Sequence, residues 1–206
     1  MHPEALKSKQ REIFEKLKYF KNFYLAGGTA LALQIGHRIS VDFDLFSPYE
    51  IPEKLFDEVQ EVFKKKRIKI IVNHSEQLTV MIDKISLSFV RFPFPLLLKL
   101  KKYRGVKMLS VPEIGATKAY ALGRRATLKD YVDLYFIIKK KYASLKKIVS
   151  LAQKKFKEEF EPRLFYEQLI YLEDIEEVPI EYLTKEKPTK KEIQKFFEEQ
   201  IKNLKI

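Results

Sequence analysis

The stretch that most constrains the fold lies at residues 23–47, and its first half predicts a strand, a tight turn and a helix. An apolar run, Phe23–Ala26, ends at Gly27 and Gly28, and residues of helix-forming composition follow from Thr29. Glycines at such a turn let backbone N–H groups approach a phosphate, and a new helix points its unpaired amides at the same spot. The turn is therefore a candidate nucleotide-phosphate site, with Thr29 as a helix cap or a phosphate contact. An ordinary strand-to-helix turn has the same pattern.

The second half of the stretch holds two aspartates at strand spacing. Alternation along a strand places Asp42 and Asp44 on one face and the apolar residues Val41, Phe43 and Leu45 on the other. Neighbouring carboxylates repel each other and are costly to bury, so a cation is expected between them. Oxygen ligands favour Mg²⁺, or Mn²⁺, shared with substrate phosphates, and phosphoryl or nucleotidyl transfer is the chemistry that follows. The alternative is the solvent-facing side of an edge strand, although Asp is a poor strand former.

Four landmarks in a fixed order make the chain resemble a known enzyme family. They are the run Leu25–Leu33 with its glycine turn, the run Arg38–Phe46 with Asp42-x-Asp44, Phe92-Pro-Phe-Pro-Leu-Leu, and Lys129-Asp-Tyr-Val-Asp-Leu-Tyr. The glycine turn followed by the aspartate pair is similar to the motif of the polymerase-beta-like nucleotidyltransferase superfamily. All four together resemble the AbiEii/AbiGii-type nucleotidyltransferase toxins, which include the MenT-like toxins. The match covers roughly residues 20–140.

The resemblance implies a metal-dependent enzyme that moves a nucleoside monophosphate from a nucleoside triphosphate to a hydroxyl acceptor. It implies that Asp42 and Asp44 hold the metal ion and that the glycine turn cradles the nucleotide phosphates. The acceptor that it suggests is the 3′ end of a tRNA, with the protein acting as the toxin of a toxin-antitoxin pair and a cognate antitoxin as a further partner. A nucleotide- or RNA-binding pseudoenzyme and a transferase that modifies protein are the alternatives.

Further site residues come from two predicted helices and from the loop before the aspartate pair. In MenT-like enzymes a lysine and a downstream aspartate complete the site, and Lys118 and Asp133 are the positions that fit best. Arg38 is a candidate for neutralising the triphosphate, and Ser40 and Asp130 join it in the candidate nucleotide-binding set. Structural ion pairs are the alternative for the charged members of this group.

The two aspartates of the later helix, Asp130 and Asp133, are three residues apart and share a face that is expected to look inward, towards the cleft. Buried acids need cationic partners. The candidates are Lys118, Arg124, Arg125 and Lys129. The alternatives are that Asp130 is a favourable acid in the first turn of a helix and that Asp133 pairs with a lysine.

Ser88 departs from the superfamily pattern. The superfamily takes a third carboxylate from a strand beside the aspartate pair, and alignment on the Phe92-Pro-Phe-Pro landmark assigns that position to Ser88, on a strand face that can look into the cleft. A hydroxyl cannot match a carboxylate as a ligand or a base. Three explanations of the serine are open: one metal ion suffices for the reaction, another residue replaces the third carboxylate, or the site has lost activity.

The rest of the chain predicts a mixed α/β fold of four or five strands. Strands are expected at Arg67–Val72, Leu78–Ile82 and Ile85–Phe92, in addition to the two around the glycine turn and the aspartate pair. Helices are expected at Pro3–Phe20, Pro52–Lys66, Val111–Leu122, Ala126–Tyr142, Leu145–Phe160, Arg163–Leu172 and Thr189–Leu204. We therefore expect a polymerase-beta-like α/β domain with a mixed sheet over residues 1–95, and a helical bundle over residues 96–206 that contributes to the active-site cleft.

The amino-acid composition limits the cofactors and binding partners that the protein can have. The chain has no cysteine, which excludes disulfides, thiol catalysis and Cys-type zinc sites, and its three histidines are scattered, which disfavours a metal centre built from histidines. It shows neither a membrane-spanning run nor a signal-peptide core, so a cytoplasmic protein without membrane contact is expected. The net charge of +12, with basic clusters at residues 99–107 and 139–157, favours a polyanion such as RNA. Adaptation to heat is an equally good explanation of a surface rich in Lys and Glu.

Overall fold

The computed structural model of the chain describes residues 1–204, so residues 205 and 206 at the end of the predicted helical part lie outside the described residues. Within the described part, a seven-stranded mixed sheet combines with eight α-helices. The strands are β1 Tyr24–Ala26, β2 Phe43–Ser47, β3 Ile68–His74, β4 Gln77–Ile82, β5 Ile85–Arg91, β6 Lys101–Tyr103 and β7 Val106–Met108. The helices are α1 Ser8–Lys16, α2 Gly27–Ile35, α3 Leu55–Val62, α4 Val111–Arg125, α5 Leu128–Lys139, α6 Leu145–Phe156, α7 Pro162–Ile170 and α8 Lys190–Lys202. The mixed α/β fold with additional helices is confirmed.

The sheet has the order β3-β4-β5-β2-β1-β7-β6, with β2 at its centre. Strand β2 runs antiparallel to β1 and parallel to β5, and β1 runs parallel to β7. Phe43 and Leu45 of β2 are buried, whereas Asp44 and Phe46 on the other face are half-buried. This alternation directs the polar face of the central strand towards a cavity and its apolar face into the core.

The N-terminal helix is shorter than the predicted range Pro3–Phe20. Helix α1 lies between two short 3₁₀ turns, Pro3–Ala5 and Leu17–Tyr19, and its start is fixed by Gln10, whose side-chain oxygen accepts a bond of 2.9 Å from the backbone N–H of Lys7. The residues that carry the apolar pattern are all buried, namely Leu6, Ile13, Phe14, Leu17 and Phe20. The pattern thus identifies the packed face correctly and overestimates the length of the regular helix.

The basic segment at residues 99–107, for which the sequence predicts no strand, forms the hairpin β6–β7. Its turn lies at Arg104 and Gly105, which both have positive φ angles, +47° and +87°. Val106 and Met108 are buried while Lys107 between them is exposed, which is the alternation of a strand with one face on the core. The hairpin extends the sheet beyond residue 95, and the division of the chain at residues 95 and 96 stays a prediction.

Helix α4 is central to the helical part and packs against α2, α5, α6 and α7. It begins with a proline in its first turn and continues to Arg125, three residues past the predicted end. Helices α5, α6, α7 and α8 end within a few residues of the predicted boundaries, and α8 starts with a capping box between Thr189 and Glu192.

None of the helices described within residues 1–204 has the length and apolar character that crossing a bilayer requires.

Candidate active site

A cavity of about 710 Å³ opens between the centre of the sheet, helices α4 and α5, and a C-terminal segment at residues 179–181. The predicted site residues that line it are Gly27, Gly28, Arg38, Ser40, Asp42, Asp44, Ser88, Lys118 and Asp130. Residues that lie far apart in the sequence therefore meet around one space, which is large enough for a nucleotide-sized ligand.

The glycine turn between β1 and α2 lies directly against the aspartate strand. Ala26 is paired with Asp44 in the sheet, and Gly27 follows with a φ angle of +65°. A Cβ atom on Gly27 would lie 2.5 Å from Oδ2 of Asp44, and one on Gly28 would lie 2.6 Å from Nη2 of Arg38. Gly27 is therefore required both for its backbone conformation and because the carboxylate approaches its Cα too closely for any side chain.

The carboxylates of the aspartate pair have no hydrogen-bonding or ionic partner among the described residues. Asp42 is exposed just before β2, and Asp44 is half-buried within it. Across residues 1–204, neither carboxylate accepts a hydrogen bond or forms an ion pair. Burial raises the pKa of Asp44; the positive charges of Lys118 and Arg125 oppose this rise, and the negative charge of Asp42 adds to it. The strand pattern predicts Val41 on the buried face; the residue is exposed because the strand begins only at Phe43.

The donor set of the pair fits a divalent cation that is shared with a substrate. The structure describes no cluster of three or more His, Cys, Asp or Glu residues within the span 1–204 that could hold a metal ion by itself. Two carboxylates at the base of an open cavity, lacking any cationic neighbour in contact, are the arrangement in which Mg²⁺ takes its remaining ligands from phosphates and water.

Behind the cavity wall lies a group that we call the buried ion cluster: His37, Arg38, Lys118, Asp130 and Asp133. Asp133 is its centre. Its Oδ1 accepts bonds from His37 Nε2 at 2.7 Å and Arg38 Nε at 2.8 Å, and its Oδ2 lies 2.9 Å from Arg38 Nη2 and 2.8 Å from Lys118 Nζ. Lys118 Nζ also donates to Asp130 Oδ1 at 2.6 Å. The cluster ties α4 and α5 to the loop after α2.

The charges within the buried ion cluster cancel. Burial alone would raise the pKa of Asp133, but Arg38, Lys118 and His37 outweigh burial and hold that pKa well below its ordinary value. Burial likewise opposes the charge on Lys118, and the carboxylates of Asp133 and Asp130 outweigh it and raise the Lys118 pKa. Burial lowers the pKa of His37 and outweighs the effect of Asp133, so the imidazole is neutral at pH 7. Two cations therefore face two carboxylates, and the cluster supplies little net positive charge to a ligand.

Two predicted site residues do not line the cavity. Asp133 is fully buried behind it, so the structure does not give this residue direct access to a substrate. Thr29 is also buried, and its hydroxyl lies 2.9 Å from Ser40 Oγ and donates to the backbone carbonyl of Asp42. It does not cap α2, whose N-cap is Ala26, and instead fixes the loop that leads to the aspartate pair.

Ser88 faces the cavity at the position where its strand pairs with the aspartate strand. In the parallel pair β2–β5, Asp44 and Ser88 are register partners, and Ser88 lines the cavity. The alignment that places Ser88 beside the aspartate pair therefore agrees with the register of the sheet. The hydroxyl of Ser88 accepts a bond of 3.1 Å from Thr79 Oγ1 on β4.

Several residues of the site are missed by reasoning from the sequence. His37 attracts no attention there because the three histidines are scattered, and only the fold shows that it contacts Asp133. Residues 179–181 also form part of the cavity wall, because the C-terminal segment pairs with the loop after α2 through Ile39 N to Glu181 O and Leu183 N to His37 O. No local sequence motif predicts this pairing, because it joins residues more than 140 positions apart.

The outer wall of the cavity combines aromatic and cationic side chains. The guanidinium of Arg124 lies 3.5 Å from the ring centroid of Tyr120, whose other face stacks on Phe156 at 3.9 Å, and Arg124 also pairs with Glu159. Arg125 and Lys129 line the cavity, are exposed, and form no ion pair in the part of the chain that the structure describes. These two side chains are the available positive charges at the cavity mouth.

Comparisons with known proteins identify the family and the fold of the chain. The family model described as nucleotidyl transferase AbiEii toxin, type IV TA system, matches residues 11–205. An uncharacterized protein of Aquifex aeolicus, aq_aa25, is 34% identical over an alignment of 205 positions, and the alignment covers 96% of each chain. Among solved structures, a candidate nucleotidyltransferase from H. pylori matches with a TM-score of 0.61 and 17% identity over 97% of this chain and 98% of its own. JHP933 from Helicobacter pylori matches with a TM-score of 0.59 and 16% identity over 97% and 95%. The two structural matches show a shared fold.

Proposed function

The chain belongs to the AbiEii family of nucleotidyltransferase toxins, and we propose that it transfers a nucleoside monophosphate from a nucleoside triphosphate to a hydroxyl group of an acceptor. The observation that carries this proposal is the unpaired Asp42 and Asp44 at the base of a cavity whose mouth holds the unpaired cations Arg125 and Lys129, as far as residues 1–204 describe the site. Carboxylates at the base of the cavity can bind a metal ion, and cations at its mouth can bind phosphates. This arrangement suits a ligand that combines the two.

In this proposal Asp42 and Asp44 hold Mg²⁺ or Mn²⁺. When bound, the ion would neutralise charge on the phosphates and polarise the phosphorus that is attacked. The acceptor oxygen forms a bond to the α-phosphorus, the bond from that phosphorus to the bridging oxygen breaks, pyrophosphate leaves, and the hydroxyl proton passes to water. The protein contributes positioning and charge, which is what phosphoryl transfer chiefly needs.

The remaining site residues bind phosphates, supply positive charge or position other side chains. Gly27 and Gly28 leave their backbone open to the phosphates, because side chains there would collide with Asp44 and Arg38. Lys118 reaches the cavity from the buried ion cluster and is close enough to lower the pKa of Asp44. Asp133 acts as a positioning residue that holds Lys118 in place. Arg125 and Lys129 add positive charge at the cavity mouth, where they can meet phosphates of the nucleotide or of the acceptor.

The acceptor that we propose is the 3′ end of a tRNA, and the further partner is a cognate antitoxin. Membership of a family of toxins described as belonging to a TA system supports the toxin role. The net charge of +12 and the exposed cations at the cavity mouth support a polyanionic acceptor.

The test is transfer of label from each of the four α-labelled nucleoside triphosphates, with Mg²⁺ or Mn²⁺ and total RNA. Asp42→Asn is nearly isosteric and is expected to lower transfer at least about a hundredfold, since a metal ion supplies several kcal/mol of transition-state stabilisation. Asp57→Asn removes the same charge from an exposed position on α3, outside the cavity, and serves as the control. Chelation of the metal should abolish transfer. Full activity of Asp42→Asn would reject the site assignment.

A second candidate function follows from Ser88, which occupies the position of the third carboxylate. If the site has lost activity, the protein should bind nucleotide tightly and transfer none of it even when Mg²⁺ is abundant. The destination of the label separates the remaining alternative, because a transferase that modifies protein would label polypeptide and leave RNA unlabelled.

A further inference from the structure

The strands beneath the cavity carry two rows of side chains that cross β2, β5 and β4. The registers give one row of Asp44, Ser88 and Thr79, and a second row of Phe46, Val90 and Gln77 two residues further along. The first row is polar and begins at the aspartate pair. The second row carries one polar group, the amide of Gln77, which also lines the cavity.

Three polar groups of the two rows, those of Gln77, Thr79 and Ser88, form a directed chain of hydrogen bonds. Gln77 Nε2 donates to Thr79 Oγ1 at 2.8 Å, and Thr79 Oγ1 donates to Ser88 Oγ at 3.1 Å. Thr79 is buried and does not line the cavity, so its single proton would be costly to leave without an acceptor, and Ser88 supplies that acceptor. The proton of Ser88 is then the last in the chain.

That last proton points to the ligand. Ser88 lines the cavity beside Asp44, and its hydroxyl donates no hydrogen bond to any group within residues 1–204. A hydroxyl that accepts a bond from Thr79 still has its own proton to donate. Phosphate oxygens are strong acceptors, and they gain charge in the transition state of phosphoryl transfer.

We infer that Ser88 is a hydrogen-bond donor to an oxygen of the α-phosphate that is transferred, with Thr79 and Gln77 as the positioning residues that fix the direction of its proton. The inference rests on the proposed function and adds a role for the position at which the superfamily has a carboxylate. Ser88 here replaces a ligand by a donor, and the residue is part of a working site.

The experiment measures kcat and KM for the preferred nucleoside triphosphate in the wild type and five variants. Ser88→Ala and Thr79→Val each remove one link with little change of volume, and Thr79→Ser is the matched control that keeps the hydroxyl. The double variant Ser88→Ala/Thr79→Val tests whether both residues act through one bond. Ser88→Asp restores the superfamily's carboxylate. Thermal unfolding of every variant checks the fold, and the wild-type rate in the same assay tests the proposed function separately.

We expect Ser88→Ala to lower kcat roughly 10- to 100-fold with little change in KM, as for the loss of a donor to a charged oxygen. Thr79→Val should lower kcat by a smaller factor, the double variant should match Ser88→Ala, and Thr79→Ser, which keeps the hydroxyl, should lose less of the wild-type kcat than Thr79→Val does. Ser88→Asp should be slower than the wild type, because a carboxylate cannot donate and adds a third negative charge beside Asp44. A wild-type kcat in Ser88→Ala, or a faster Ser88→Asp, would overturn the inference while leaving the proposed function intact.

Discussion

At the scale of single residues, the neutral imidazole of His37 makes the stability of the protein depend on pH. His37 Nε2 contacts Asp133, Arg38 and Lys118 add positive charge nearby, and the ring packs 5.3 Å from that of Phe136. Nδ1 has no hydrogen-bond partner within residues 1–204. Protonation would therefore put an unpaired donor and a further charge into a buried space that already holds two cations.

The sign of this dependence follows from linkage. Burial lowers the pKa of His37 below 6.5, so between the two pKa values the unfolded chain binds a proton that the folded chain does not. Stability should consequently fall as the pH falls below about 6.5, by about 1.4 kcal/mol for each unit by which the pKa is lowered. In His37→Gln the side-chain amide can still donate to Asp133 and cannot titrate. Urea unfolding from pH 7.5 to 5 should show a flatter profile for this variant, and an unchanged profile would contradict the assignment.

The sequence predicts the chemistry of the individual residues better than their accessibility. The spacing of Asp42 and Asp44 and the glycines before them are local features, and the structure brings these residues together in one cavity. Whether a charged residue faces the cavity or lies behind it depends on contacts between distant segments. Asp133 illustrates this, because its helix position indicates an inward face but not that Arg38 and Lys118 lie between it and the cavity.

At the scale of secondary-structure elements, a buried ion pair joins two helices to the loop that follows β5. Lys155 Nζ on α6 lies 2.7 Å from Glu113 Oε1 on α4 and donates to the carbonyl of Pro95 at 2.7 Å. The same carboxylate accepts from the backbone N–H groups of Leu97 and Leu98 at 3.0 and 3.1 Å. All the polar atoms of the pair are thus used, which is the condition under which a buried pair is tolerated.

Removing one member of this pair should be strongly destabilising. We expect Lys155→Met to lower the free energy of unfolding by about 3–5 kcal/mol, because Glu113 would be left as a buried charge without a cation. Lys154→Met removes the same group from the neighbouring exposed position and should change stability by about 0.5 kcal/mol or less. Urea unfolding measures both. Adding Glu113→Gln to Lys155→Met should recover part of the loss. A Lys155→Met protein as stable as Lys154→Met would show that the pair contributes little.

Elements are predictable from the sequence where their apolar pattern is long, and less so where they are short or carry charges. Strands β3, β4 and β5 follow the predicted runs closely, whereas β6 and β7 have three residues each and lie in a lysine-rich segment. Lys155 belongs to a run whose composition indicates a basic surface, yet it follows Ile148 and Ala152 at helical spacing on the buried face of α6. This helical spacing is the sequence feature from which the burial of Lys155 could have been predicted.

At the scale of the whole molecule, the net charge of +12 is known from composition, but its relation to the site is set by the fold. The lysine-rich run at residues 139–157 is not one surface, because Lys155 is buried and Lys139 pairs with Glu186. Arg125 and Lys129, in contrast, reach the cavity mouth from the junction of α4 and α5. A polyanion that enters the cavity would therefore meet Arg125 and Lys129 in the same space as the aspartate pair.

Two variants of equal net charge separate local binding from the overall field. Arg125→Glu/Lys129→Glu reverses the two mouth cations, and Lys146→Glu/Lys147→Glu reverses two exposed lysines in the first turn of α6, which do not line the cavity and where acids suit the helix dipole. If the mouth cations neutralise phosphates of a single-stranded acceptor, the first variant should bind RNA more weakly. The plot of log K for RNA binding against log salt concentration should then become less steep. Its slope should decrease in magnitude by about 0.7 for each phosphate that is no longer neutralised, or about 1.4 for both cations together.

The second variant should bind RNA with nearly the wild-type salt slope, because the charge that it removes lies away from the path of the acceptor. RNA-binding titrations from about 50 to 200 mM salt measure both slopes, a range over which phosphate neutralisation changes affinity strongly. Equal weakening in the two variants would mean that RNA is held by the field of the whole surface, and the mouth would then have no special part in acceptor binding. Weakening confined to Arg125→Glu/Lys129→Glu would assign the entry of the acceptor to the junction of α4 and α5, next to the residues proposed to hold the metal ion.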